Sequence, residues 1–275
     1  QCDVILHLAA MNRHEDQQVI YDTNIQLVES LVSSLDRTNS QAHIIMSSSS
    51  QEEKDNLYGK SKKKGRELFL NWEKDSKGLF TGLIIPNVFG PFGKPNYNSV
   101  VATFCHKVVT GEKPEIHVDG TVSLIYVGEL VQEILNIIEK GVSNKKLTIE
   151  ATSHIKVSEI LTLLNSYKRQ YQDNGEIPTI NSTLELNLFN TFRCYMDVKN
   201  HFPVKFTQHT DPRGSFVEII RLGIGGQVSF STTVPGITRG NHLHTRKIER
   251  FAVIKGKALI QLRKIGTDEV LEFYQ

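Results

Sequence analysis

Tyr58 and Lys62 stand four residues apart, shortly after the serine run Ser47 to Ser50. On a helix that spacing puts a phenol and an ammonium on one face, one turn apart. A neighbouring cation favours the phenolate, so the pair predicts a phenol pKa drawn down toward neutrality. Such a group passes a proton to or from a sugar hydroxyl or carbonyl. A serine hydroxyl at the end of the preceding strand can hold the same oxygen. This is reductase chemistry, and it needs a hydride donor.

A second constellation lies far downstream, in Thr238 to Glu249 (TRGNHLHTRKIE). His242 and His244, at i and i+2 on a strand, share a face, and the carboxylate of Glu249 can return to them across a bend. Two imidazoles and a carboxylate suit a borderline divalent cation such as zinc.

Strands and helices must position these groups. Asp3 to Ala10 (DVILHLAA) reads as a buried strand, and Ile25, Val28, Leu31, Val32 and Leu35 give the span from Tyr21 to Leu35 a helical apolar face. His43 to Met46 reads as a strand, Tyr58 to Trp72 as a helix and Gly82 to Pro86 as another strand. Ligands of parallel α/β sheets bind at the carboxyl ends of strands, where Ala10, Ser49 and Asn87 would converge. Asn98 and Ser99 suit a helix start, Leu124 to Leu130 a strand leading into a helix, and Val157 to Leu164 a short helix. Tyr167 to Met196 is polar, with weak periodicity. From Phe202 to Phe273 alternating segments are separated by glycine and polar turns, the pattern of an antiparallel barrel or sandwich. The boundary is expected near Asn200, giving an α/β domain over residues 1–200 and an all-β domain over 201–275.

The 275 residues carry 32 basic and 30 acidic side chains, a formal charge of +2, so no nucleic-acid footprint is present. Within the basic run Lys60 to Lys64, only Lys62 is a candidate for chemistry; the others read as a solvated face. Three scattered cysteines, Cys2, Cys105 and Cys194, suggest reduced thiols and a cytoplasmic protein. No apolar stretch is long enough to span a bilayer, and the opening is a strand, not a signal peptide. A dinucleotide-binding fold opens with a glycine-rich turn, and none lies near this start. The chain is expected to begin in mid-fold, lacking roughly two strand–helix units of about 30 residues each. It is also expected to stop within its second domain, which leaves open whether the chain by itself is active even where its parent is.

His43 to Ser50 (HIIMSSSS), Leu57 to Lys62 (LYGKSK), Asp3 to Ala10 and Pro86 to Pro91 (PNVFGP) occur in an order that resembles the extended short-chain dehydrogenase/reductases acting on nucleotide sugars. That resemblance implies an incomplete Rossmann-type parallel sheet. It assigns catalysis to Ser49 (with Ser48 as runner-up), Tyr58 and Lys62, and a water-organising role to Asn24. It also places the cofactor against Ala9, Ala10, Tyr58, Lys62, Pro86 and Asn87. Pro95 to His106 resembles the substrate-side segment, where Asn87, Tyr97 and Asn98 would meet sugar or nucleobase. Around His242 the pattern resembles a cupin metal motif, implying a cupin-type β-barrel. Asp211 to Glu218 (DPRGSFVE) with Arg239 to His242 also resembles the deoxysugar 3,5-epimerases, themselves cupins. That likeness implies diphosphate contact by Arg213, a substrate role for Arg239 and His242 as a base instead of a ligand, although the presence of both His244 and Glu249 favours metal. Taken whole, the chain resembles the bifunctional capsular-polysaccharide enzymes that make UDP-2-acetamido-2,6-dideoxy-L-talose. That likeness implies C3 epimerisation by the cupin, C4 reduction by NADPH (NAD as the alternative) and zinc or another divalent metal. It also implies a UDP-4-keto-deoxy-amino sugar as substrate, and a homodimer. Two competing readings are a single-activity reductase or epimerase with a structural barrel, and a non-catalytic binding protein.

Overall fold

The computed structural model describes residues 2–201, 203–223, 225–243 and 248–275. The chain divides into two units, Gln1–Thr207 with Val217–Phe230, and Gln208–Phe216 with Ser231–Gln275.

The first unit opens with β1 (Val4–His7), α1 (Gln17–Arg37), β2 (His43–Ser49), a 3-10 turn (Ser50–Glu53), α2 (Leu57–Asp75) and β3 (Leu79–Ile85). It continues through β4 (Asn87–Phe89), α3 (Val100–Thr110), β5 (Thr121–Tyr126), α4 (Val127–Lys140) and β6 (Asn144–Thr148). Then come β7 (Ser153–Lys156), α5 (Val157–Tyr167), β8 (Glu176–Ile177), α6 (Thr183–Cys194) and the short α7 (Val198–His201). Strands β1, β2, β3 and β6 form an all-parallel sheet in that order, with Val4 opposite His43 and His43 opposite Leu79. Strands β4, β5 and β7 form a smaller mixed sheet.

Local chemistry sets the helices that matter. Asp16 caps α1 by accepting from the Gln18 N–H at 2.8 Å. Asn56 caps α2, its Oδ1 accepting from the Gly59 N–H at 2.7 Å. Such caps satisfy N–H groups that the first helical turn leaves without partners. Gly65 lets α2 lie close to α1 and the sheet, because a Cβ there would stand 3.1 Å from Val28 and 3.2 Å from Met46. The core between them joins Val28, Leu35, Ile44, Met46, Phe69, Trp72 and Phe80. A second core, under the small sheet, joins Phe89, Phe104, Leu124, Ile160, Leu164, Leu188 and Phe192.

The stretch read as polar with weak periodicity, 167–196, contains α6. Ser182 caps it, and Leu188, Phe189 and Phe192 are buried. Leu184, Leu188 and Phe192 recur every fourth residue, and the polar residues between them dilute an amphipathic signal that is nevertheless present.

The later strands are β9 (Gln208–Asp211), β10 (Gly214–Leu222), β11 (Gln227–Ser231), β12 (Leu259–Arg263) and β13 (Val270–Tyr274). Strand β10 lies between β11 and β8 and also pairs with β9, whereas β12 and β13 form a two-stranded antiparallel ribbon. The β-rich character is as expected, but the barrel is not: among the described residues these strands do not close on themselves. Closure requires each strand to pair on both edges, and β12 and β13 pair only with each other.

Candidate active site

The site lies at the carboxyl ends of β1 and β2 and the start of α2. Lys62 is 4% exposed and donates to the Ser47 carbonyl, 2.9 Å away. Its ammonium stands 5.9 Å from the centre of the Tyr58 ring, so the two groups share one face as the spacing predicts. Burial lowers the Lys62 pKa to about 8, partly offset by the carboxylate of Glu52. The same ammonium, after burial itself, holds His7 down at about 4.

Tyr58 departs from expectation. Its pKa is raised, first by burial and then by the nearby phenol of Tyr97. Desolvation of the phenolate sets the direction, and the hydrogen bond of the neighbouring ammonium goes to Ser47. At neutral pH Tyr58 is therefore a protonated phenol, in the form that donates.

Asn24 is buried between three elements. Its Nδ2 donates to Met11 O at 2.9 Å and to Ser61 Oγ at 3.0 Å, and its Oδ1 accepts from Met11 N at 2.7 Å. Ser61 in turn donates to Tyr58 O at 2.7 Å. Asn24 thus ties the loop after β1 to the turn of α2 that carries the tyrosine. The serines divide their tasks. Ser49 caps the 3-10 turn by accepting from Gln51 N at 3.2 Å, while Ser48 is buried and donates to Glu52.

Tyr97 joins the site through the loop after β1: its hydroxyl donates to Asn12, and Arg13 donates to its carbonyl. The Arg13 guanidinium and Lys94 ammonium stand 5.0 and 5.3 Å from the centre of its ring. Asn98 is exposed next to it, before the Ser99 cap of α3. Asn87 donates to Ser123 O at 3.2 Å, and with Pro86, Ser50 and Thr121 it lines a hollow of about 370 Å³. Ala9 is exposed and Ala10 half-buried just beyond β1.

Sequence reasoning missed Glu52, Arg66, His7, Asn12 and Arg13. Only Arg66 carried a signal, standing one further turn along the Tyr58–Lys62 face.

In the second unit Arg213 forms a two-pronged ion pair with Asp211, at 2.6 and 3.0 Å. Arg239 donates to Thr232 O at 2.9 Å. Gly214 has φ +138°, and a Cβ there would lie 2.0 Å from Thr232 O, so this junction requires glycine. His244 lies outside the described residues. No three His, Cys, Asp or Glu side chains form a metal-holding group among the described residues.

Residues 1–150 match the NAD dependent epimerase/dehydratase family. The chain belongs to that family. Its members are enzymes that use a nicotinamide cofactor, and the residues here fit one: Lys62 spends a single N–H on Ser47, leaving donors for ribose hydroxyls. Residues 209–275 match the polysaccharide biosynthesis C-terminal domain. Over 273 residues the chain is 34% identical to the UDP-2-acetamido-2,6-beta-L-arabino-hexul-4-ose reductase of Pseudomonas aeruginosa, covering 98% of this chain and 73% of that one. The capsular polysaccharide assembling protein CapF of Staphylococcus aureus superposes with a TM-score of 0.84 at 34% identity, over 99% of this chain and 74% of its own. A Thermotoga maritima UDP-glucose 4-epimerase shares the fold at TM-score 0.56 and 18% identity, over 70% of this chain and 77% of its own. No helix among the described residues is long and apolar enough to cross a membrane.

Proposed function

We propose that this family member reduces the C4 ketone of a UDP-4-keto-6-deoxy-2-acetamido sugar with NADPH, after its β-rich unit has epimerised C3. The observation that carries the reduction is the buried Lys62 one turn beyond a protonated Tyr58, at the carboxyl edge of a parallel sheet. The 34% identical reductase from Pseudomonas aeruginosa supports the substrate class.

When bound, the nicotinamide supplies the hydride. Tyr58 gives its phenolic proton to the alkoxide forming at C4, and Lys62 holds the cofactor ribose and steadies the phenolate left behind. Ser49 hydrogen-bonds the same oxygen. General acid help of this kind is worth on the order of 100- to 10,000-fold. Ala9, Ala10, Pro86 and Asn87 flank the cofactor; Asn87, Tyr97 and Asn98 face the sugar nucleotide.

Epimerisation precedes reduction because the proton at C3 is acidic only while C4 is a ketone. His242 is the base or, with His244 and Glu249, a zinc ligand; Arg213 contacts the diphosphate and Arg239 binds the substrate. A cytoplasmic homodimer belongs to the same proposal.

The test is incubation of the protein with the UDP-4-keto sugar in deuterated water, without cofactor. Deuterium at C3 that disappears in His242→Ala and persists in Tyr58→Phe supports two activities. Absence of exchange, with NADPH still oxidised on addition, leaves a reductase whose β-rich unit is structural.

A further inference from the structure

Tyr58, Lys62 and Arg66 recur every fourth residue of α2 and so form one stripe down its buried face. Only the first two have a part in the chemistry above. Arg66 turns instead to Glu52 in the 3-10 turn that follows β2. Its Nε donates to both carboxylate oxygens at 3.2 Å, and a second nitrogen reaches Oε2 at 2.9 Å. The Glu52 side chain is 2% exposed and that of Arg66 13%. Glu52 also accepts from Ser48, the residue before Ser49.

The packing leaves this arrangement little freedom. A Cβ on Gly82 of β3 would lie 2.8 Å from Arg66 Cδ, so the arginine stem runs across the sheet where no side chain stands. A Cβ on Gly59 would lie 2.0 Å from Gln51 O, which brings the 3-10 turn against the helix next to Tyr58. Outside, Glu53 of the same turn pairs with Lys146 of β6. The end of β2 is thereby fastened to α2 by Lys62 at Ser47, by Glu52 at Ser48 and by Arg66 through Glu52.

We infer that Glu52 and Arg66 are positioning residues for the reduction, a buried clamp that fixes the serine-bearing end of β2 against Tyr58 and Lys62. The inference rests on the proposed reductase reading and adds two residues to it. Electrostatics support the geometry. Among the described residues, Glu52 from the turn, His7 from β1 and Tyr58 from its own helix stand near Lys62, and Arg66 pairs with Glu52 from one turn further along. Of these only Glu52 is a carboxylate, and it counters the effect of burial on the lysine. Without it, the buried Lys62 ammonium and the half-buried Arg66 guanidinium would share one helix face with no acid between them.

Glu52→Gln keeps the shape and removes the charge. The expected result is a kcat lower by on the order of 100-fold, the cost of an ångström-scale misplacement, with KM for the sugar nucleotide little changed. The alkaline limb of the rate profile moves below its wild-type position near pH 8. Arg66→Lys keeps the pairing charge but loses the fork; it should lower kcat by roughly 10-fold while the alkaline limb stays in place. A folded Glu52→Gln protein with wild-type kcat and profile overturns the inference, as does wild-type kcat in Arg66→Lys should the first variant not fold. Titration of Lys62 by nitrogen NMR reads the clamp without turnover. A lysine pKa unchanged by Glu52→Gln contradicts it, even where an unaffected Tyr58→Phe has already removed the reductase reading.

Discussion

The two units of this chain use polar residues in opposite ways. In the α/β unit the groups that matter are enclosed: Asn24, Ser48, Glu52 and Lys62 are all under a tenth exposed, and each has a defined partner. Beside them lies a core in which Phe69 stacks on Phe80 at 5.6 Å and meets the edge of His7 at 5.3 Å. In the β-rich unit no described side chain is buried, and the ion pair Arg213–Asp211 lies in solvent. Burial sets the shifts of Lys62 and His7, because desolvation acts only where water is removed, whereas exposed Asp211 is held low by its hydrogen bonds to Arg213. The α/β unit therefore has its chemistry built in. The β-rich unit shows glycine-dependent turns and ion pairs and, among the described residues, no enclosed group.

The sharpest way to separate the two is Tyr58→Phe. It should slow ketone reduction by about 100- to 10,000-fold in an NADPH oxidation assay and leave C3 exchange untouched. Equal loss of both reactions would break the division of labour. Next in size is the core. Phe69→Ala, at a fully buried position, should cost about 3–5 kcal/mol in denaturant unfolding. Phe273→Ala in β13, 45% exposed, should stay within about 0.5 kcal/mol. Comparable losses would mean that the β-rich surface carries stability.

Two smaller effects depend on pH. Lys62 loses its proton near pH 8, so reduction should fall as pH rises through that value while Tyr58, with its pKa raised, stays protonated. A rate profile flat to pH 9.5, about one and a half units above that midpoint, would contradict the role of the lysine charge. His7 is held at about 4 against an ordinary 6.5, so the unfolded chain takes up a proton that the folded chain refuses. Stability should therefore fall as pH drops from 6.5 toward 4, and His7→Phe should flatten that slope in denaturant melts.

Much of the α/β unit is legible in its sequence because local rules agree there. The period of α1, the Ser99 cap and the Tyr58–Lys62 spacing all survive in the fold. What cannot be read locally is partnership across the chain. Glu52 and Arg66 are 14 residues apart on different elements, and nothing in either neighbourhood foretells an ion pair. Spacing likewise gives the nearness of Lys62 to Tyr58 but not the degree of burial, which reverses the expected direction of the phenol's shift. Alternation gives the β-strands of 208–275 but not their closure, since closure depends on which edges meet.

The most direct test of the central claim is transfer from NADPH deuterated at its hydride position to the UDP-4-keto sugar, with the product read by NMR. Reduction by Tyr58 and Lys62 predicts deuterium at C4 of the sugar, and none within the same time in Tyr58→Phe. Deuterium at C4 at an undiminished rate in Tyr58→Phe, or no transfer by the wild-type protein, would contradict it.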